Sequence, residues 1–149
     1  MNRRDRAGKE AHMDHPIKVL IVDDDPAFVE SICDLLEAFG YEVAKAFGGA
    51  EGVSRAREFL PDVMILDVMM RTETEGFETA RAVREIPELQ GMGVVLVTGM
   101  TAILKLPQGL ASDEIWLPVD RVLEKPIDPD RLIKEIERVL EKKRGGRSV

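Results

Sequence analysis

The chain has little cysteine and few aromatic residues: one cysteine, one tryptophan and one tyrosine in 149 residues, with an aromatic content of 5%. A single cysteine excludes an internal disulfide and a zinc site built from cysteine pairs. No apolar run approaches the ~20 residues that a membrane-spanning helix needs, and residues 1–16 lack the apolar core of a secretory signal. We therefore expect a cytoplasmic protein without a membrane partner, with flexible tails at 1–16 and 143–149.

Positive charge is also in deficit. Lysine and arginine number 21 against 28 acidic residues, which gives a net charge of -7 and a pI near 5.0. Such an acidic surface repels a phosphate backbone, so nucleic acid is not an expected partner. Hydrophobic residues make up 44% of the chain, enough for a core. The length favours one domain, which we expect to occupy residues 17–142.

Short apolar runs alternate with segments of helical periodicity. The first helix has clear end signals: Asp25 is a candidate N-cap, Pro26 suits the first helical position, and Gly40 is a stop signal. Its apolar stripe is expected to bury Cys33 and Phe39. Continuous apolar strands separated by helices predict a parallel sheet covered on both faces. The five predicted strands cover residues 17–22, 41–46, 63–66, 94–97 and 121–124, and residues 99–118 are interpreted as loop plus a short helix.

Polar residues follow these strands where the strands end. Because the carboxyl ends of parallel strands meet at one edge of a sheet, distant residues are expected to converge there. Clustered carboxylates repel one another, and a hard divalent cation removes that cost. A cation, an ammonium and a hydroxyl together suit transfer of a phosphoryl group to a carboxylate. Each residue alone could be a helix cap or a turn residue, and for Asp25 the cap is the favoured interpretation. The set comprises Asp23, Asp24, Asp67, Thr98 and Lys125.

Five segments around these residues resemble the receiver domain of two-component response regulators, over about residues 17–142. They are residues 19–26, 61–70, 76–78, 94–99 and 123–126. The resemblance implies a doubly wound α/β fold of the flavodoxin-like three-layer kind, with strand order 2-1-3-4-5 and five helices.

The resemblance also implies a role for each site residue. Asp67 would be the phosphoacceptor, Thr98 would hydrogen-bond a phosphoryl oxygen, and Lys125 would pair with another. A cis peptide bond is implied at Lys125–Pro126. The implied ligands of Mg²⁺ (or Mn²⁺) are Asp24 directly, Asp23 largely through water, Asp67, and the backbone carbonyl of Met69.

In function, the resemblance implies a signalling domain that catalyses only its own phosphorylation and dephosphorylation. The donor would be a histidine kinase or a phosphotransfer protein carrying phosphohistidine, with small acyl phosphates as substitutes. Phosphorylation would change the conformation and so signal to a downstream protein that the sequence does not identify. We expect a stand-alone receiver, since the chain beyond residue 142 is too short for an output domain, and a monomer or weak dimer.

The chain departs from the family pattern at several positions. Arg71 stands where a proline is usual, and the loop 71–75 is one residue longer than the family pattern. Val122 replaces an aromatic switch residue, and the stretch from Thr98 to Lys125 is longer than is common, which puts the usual aromatic coupling and the usual partner face in doubt. The methionines that flank the phosphoryl position, Met69 and Met100, cannot orient water by hydrogen bonding, so we predict slow autodephosphorylation.

Two alternatives are kept. The spacing of Asp23, Asp25 and Ala27 resembles the start of a haloacid-dehalogenase-like phosphatase, although Ala27 departs from that motif. The other alternative is a receiver-like interaction module that works without phosphorylation, which the changes at Arg71 and Val122 favour mildly.

Overall fold

In the computed structural model, which describes residues 16–68, 70–72, 75–99 and 119–148, five parallel strands form one sheet. Their order is β2-β1-β3-β4-β5, so the predicted doubly wound α/β fold is confirmed. The strands are β1 (Lys18–Val22), β2 (Glu42–Ala46), β3 (Val63–Asp67), β4 (Gly93–Thr98) and β5 (Arg121–Glu124). Among the described residues the α-helices are α1 (Pro26–Ala38), α2 (Gly49–Phe59), α3 (Glu75–Arg84) and α4 (Pro129–Ser148), with a short 3-10 helix at Pro87–Leu89.

The sheet is covered on both faces, which makes three layers. Successive side chains of a strand point to opposite faces, so β1 places Leu20 and Val22 in one core and Val19 and Ile21 in the other. Helices α2 and α3 close the first core, and α1 and α4 close the second. This double cover explains why the central strands have continuous apolar runs.

The ends of α1 follow the sequence signals. The Asp25 carboxylate accepts hydrogen bonds from the backbone N–H groups of Ala27 and Phe28, and Gly40 has a φ of 91°. Cys33 is buried as predicted, and burial raises the pKa of its thiol. The prediction was wrong for Phe39, which is 55% exposed because the helix ends there and its side chain leaves the buried stripe.

Strand register sets the position of the site. Val22 of β1 lies opposite Leu66 of β3. The residues that follow them, Asp23 and Asp67, are therefore neighbours at the same edge of the sheet. At the far end of the chain, α4 continues to Ser148, past the domain boundary that we expected at residue 142. The N-terminal tail and the interior of the stretch 99–118 lie outside the described residues, as does the fifth implied helix. Within the described part of the chain, no helix has the length and apolarity to cross a membrane.

Candidate functional site

Three carboxylates meet at the carboxyl edge of the sheet. Oxygens of Asp23, Asp24 and Asp67 all lie within 4.8 Å of one another. Asp23 is 1% exposed and Asp67 is 7% exposed, whereas Asp24 faces solvent. Within 4.8 Å and at an effective dielectric constant of about 20, each pair of charges repels by at least about 3.5 kcal/mol. The cluster is therefore a place where positive charge is strongly favoured.

Lys125 supplies part of that charge. Its ammonium donates a hydrogen bond to Asp23 at 2.9 Å and lies 3.9 Å from a carboxylate oxygen of Asp67. It also lies 4.3 Å from the centre of the Phe28 ring, a cation–π contact that favours this position of the ammonium. The other oxygen of Asp23 accepts the backbone N–H of Asp25 at 2.9 Å. The Asp23 carboxylate is thus held from two sides.

Thr98 ends β4 at the same edge and is fully buried. In the sheet register its neighbour Val97 lies opposite Asp67, and Thr98 itself lies opposite Glu124. The Thr98 carbonyl accepts the backbone N–H of Lys125 at 2.8 Å, which ties the end of β4 to the residue after β5. The Lys125–Pro126 peptide bond is cis, as the resemblance implied.

The structure therefore brings together four of the six residues singled out in the sequence, the three carboxylates and the ammonium. The fifth, Thr98, ends β4 at the same edge, and its hydroxyl donates to the Gly99 carbonyl at 3.4 Å. The sixth, Met69, lies outside the described residues, as does Met100. Carboxylate oxygens are the donors that Mg²⁺ and Mn²⁺ prefer, so these three carboxylates fit a hard divalent cation.

A shallow apolar groove of about 490 Å³ opens beside the site. It runs between α1 and the segment that follows β5, and Lys125 is one of its lining residues. Its apolar lining comes from Phe28, Ile32, Leu35 and Ile127. No local sequence pattern indicates this groove, because its two walls are far apart along the chain.

Sequence reasoning also missed Glu75, which it assigned to an overlong polar loop. Glu75 begins α3, and its carboxylate accepts backbone N–H groups from Gly49 and Arg71. These hydrogen bonds, above all the one from Gly49, lower the pKa of Glu75. The glycine pair at residues 48–49 and the acidic residue are visible in the sequence, but their pairing depends on the fold.

The chain matches the response regulator receiver domain family over residues 19–137. It belongs to that family. The receiver is 32% identical over 126 residues to the protein PilH of Pseudomonas aeruginosa, covering 83% of this chain and 97% of that one. It is 29% identical to the polar-differentiation response regulator DivK of Brucella anthropi, covering 84% and 97%. It also matches longer proteins: the response regulator PleD of Caulobacter vibrioides is 36% identical, but the receiver spans only 24% of it.

Solved structures agree with this assignment. The receiver superimposes on chemotaxis protein CheY4 of Vibrio cholerae with a TM-score of 0.70 at 33% identity, covering 83% of this chain and 98% of that one. A response regulator receiver domain protein from Clostridium thermocellum gives a TM-score of 0.73 at 28% identity, covering 86% and 97%. The predicted family and fold are both confirmed.

Proposed function

We propose that this receiver accepts a phosphoryl group on Asp67 in a reaction that depends on Mg²⁺ or Mn²⁺, and that it signals through the resulting change in conformation. One observation carries the proposal. Asp67 is nearly buried, yet two further carboxylates lie within 4.8 Å of it and an ammonium lies at 3.9 Å. A buried cluster of that charge is costly for stability and suits a bound cation and an anionic adduct.

The chain's own groups have separate tasks in this proposal. An oxygen of Asp67 attacks phosphorus, and the bond from phosphorus to the leaving nitrogen or oxygen breaks with its electron pair staying on the leaving group. The ammonium of Lys125 and the hydroxyl of Thr98 stabilise the phosphoryl oxygens during transfer.

The bound cation would neutralise the carboxylates and the phosphoryl oxygens. We propose Asp24 and Asp67 as direct ligands, with the backbone carbonyl of Met69 as a further one. Asp23 would act largely through metal-bound water. Its hydrogen bonds to Lys125 and to the backbone of Asp25 support this, because they already occupy one site on each oxygen.

The donor is proposed to be a histidine kinase or a phosphotransfer protein that carries phosphohistidine. The apolar groove between α1 and the segment after β5 borders Lys125, so a donor that lies in it would face the phosphoacceptor edge. Phosphorylation adds roughly one more negative charge and strong acceptor oxygens to Asp67. The output would then be a surface of the receiver that this new charge rearranges and that a downstream protein binds.

The test is incubation with acetyl phosphate and Mg²⁺, followed by intact mass measurement. We expect the wild type to gain the mass of one phosphoryl group and Asp67→Asn to gain none. Asp34→Asn, an equal change of charge at an exposed position of α1, is the matched control and should behave as the wild type does. A mass gain in Asp67→Asn equal to that of the wild type would refute the assignment.

The two alternatives separate cleanly. Membership of the receiver family argues against the haloacid-dehalogenase-like phosphatase. Such an enzyme would need the Asp25 carboxylate at the reacting centre, but here that carboxylate caps α1. The module that works without phosphorylation predicts no mass gain in the wild type, with or without Mg²⁺. The same measurement therefore decides between it and the phosphoacceptor.

A further inference from the structure

The carboxylate of Glu75 joins two parts of the fold that are far apart in sequence. One oxygen accepts the backbone N–H of Gly49 at the start of α2, at 2.7 Å. The other accepts the backbone N–H of Arg71, in the loop after β3, at 2.9 Å. The Arg71 guanidinium adds an ion pair at 3.3 Å. The Glu75 side chain is 13% exposed, so these bonds form largely away from water.

The backbone of Glu75 is fixed as well. Its carbonyl accepts a hydrogen bond from the hydroxyl of Thr79 at 2.8 Å. A Cβ added at Gly49 would overlap that hydroxyl and would lie 3.0 Å from Cγ of Glu75. The start of α2 and the start of α3 are therefore packed together with no room for a side chain at position 49. The carboxylate of Glu75 lies at the centre of this contact.

Gly76, the residue after Glu75, packs directly against the end of β3, the strand that carries Asp67. The N–H of Gly76 donates to the Val68 carbonyl at 2.9 Å, and Val68 in turn donates to the Val97 carbonyl of β4 at 3.0 Å. A Cβ at Gly76 would overlap the Asp67 carbonyl oxygen and the backbone of Val68. A shift at the start of α3 must therefore be passed to the backbone of Asp67 and Val68.

Arg71 explains why this chain needs such a tether. It stands where the family usually has a proline, and a proline restricts the backbone by itself. Arginine leaves the loop freer, but it also brings a backbone N–H that proline lacks. That N–H is the group that Glu75 accepts. The tether uses the very donor that the departure from the family pattern created.

We propose that Glu75 is a positioning residue for the cation site: through Arg71 and Gly49 it fixes the loop that follows Asp67, and loss of its charge weakens Mg²⁺ binding. The inference rests on the proposed function, because it assumes that Mg²⁺ binds beside Asp67. A residue that only stabilised the fold would lower the melting temperature and leave Mg²⁺ affinity unchanged.

The experiment compares four variants of the full chain. Glu75→Gln keeps the shape but replaces one accepting oxygen by a donor, and Glu58→Gln, at an exposed position of α2, makes the same charge change away from the tether. Arg71→Ala removes the side chain beyond Cβ, including the guanidinium, and keeps the backbone N–H; that side chain is 72% exposed. Ile133→Val removes one methyl group from the core below α4 and is a control for stability alone.

Mg²⁺ affinity is measured by calorimetric titration without any phosphoryl donor, and the rate of mass gain from acetyl phosphate is measured separately. We expect Glu75→Gln to raise the Kd for Mg²⁺ about tenfold, the range found when a residue supporting a metal ligand is lost. Arg71→Ala should raise it less. Glu58→Gln and Ile133→Val should leave it at the wild-type value.

A Kd in Glu75→Gln equal to that of Glu58→Gln or of Ile133→Val overturns the inference, while Asp67-dependent mass gain in the wild type would leave the proposed function standing. If Glu75→Gln does not fold, Arg71→Ala decides, and an unchanged Kd there overturns the inference. A wild type that neither binds Mg²⁺ nor gains mass overturns both proposals.

Discussion

Replacing Asp67 by asparagine should stabilise the metal-free protein. The substitution keeps the side chain's shape but removes one of three clustered charges. In the absence of a divalent cation, Asp67 is repelled by Asp23 and Asp24 and attracted by Lys125. The sign of the effect depends on which of these is larger, and the distances decide it.

At an effective dielectric constant of about 20, charges within 4.8 Å repel by at least about 3.5 kcal/mol, and Asp67 has two such neighbours. The attraction to Lys125 at 3.9 Å is about 4.3 kcal/mol, smaller than the two repulsions together. Asp24 is exposed, so water screens its share. A net gain of about 1 to 2 kcal/mol remains for Asp67→Asn, or about 3–7 °C in Tm for a domain of this size.

The assay is urea or thermal unfolding of both proteins in EDTA and again in Mg²⁺. In EDTA we expect the variant to be the more stable protein. In Mg²⁺ the wild type should gain more, since a ligand at ten times its Kd adds about 1.4 kcal/mol to the folded state that binds it. The advantage of the variant should therefore shrink or reverse. A variant that is less stable than the wild type in EDTA would refute the electrostatic reasoning.

Three further predictions follow from other parts of the molecule. Burial, with a smaller contribution from the charge of Glu137, raises the pKa of Tyr41 to about 12. The free energy of unfolding should therefore be unaffected by Tyr41 below pH 10 and fall by up to about 2.7 kcal/mol between pH 10 and 12. Unfolding measured across this pH range should show that Tyr41→Phe removes this loss. Gly76→Ala should cost about 3 kcal/mol in urea unfolding, because its methyl group would meet backbone atoms that no rotamer change can move. If Met69 and Met100 leave water unoriented, the phosphoryl mass should persist once acetyl phosphate is removed, and its rapid loss would contradict that interpretation.

The fold could be predicted from the sequence because its rules act locally. Strands covered on both faces must be apolar throughout, and helix ends need caps such as Asp25 and Gly40. The site followed from one topological fact, that parallel strands end at a common edge. Strand register was not needed for that prediction, although the pairing of Val22 with Leu66 determines how closely Asp23 and Asp67 approach.

What could not be predicted depends on contacts between distant segments. The acceptors and donors around Glu75 come from α2 and from the loop after β3, and no local pattern pairs them. Phe39 had the right helical spacing for burial, but spacing does not say where the helix leaves the sheet. The groove beside Lys125 likewise has walls from opposite ends of the chain.

The resting contacts of Lys125 explain how one added charge can alter the molecule. Its ammonium is hydrogen-bonded to Asp23 at 2.9 Å and lies 3.9 Å from Asp67, so in this structure it serves mainly as a counter-ion of Asp23. A cation bound to the carboxylates would neutralise part of their charge and so weaken the attraction between Asp23 and Lys125. A phosphoryl group on Asp67 would offer the ammonium a stronger partner. Because the backbone N–H of Lys125 is hydrogen-bonded to the Thr98 carbonyl, a shift of the lysine backbone would also displace the ends of β4 and β5. Val122 on β5 is exposed and lies three residues before Lys125 in the sequence, so the proposed shift of the lysine would reach this surface without an aromatic switch residue.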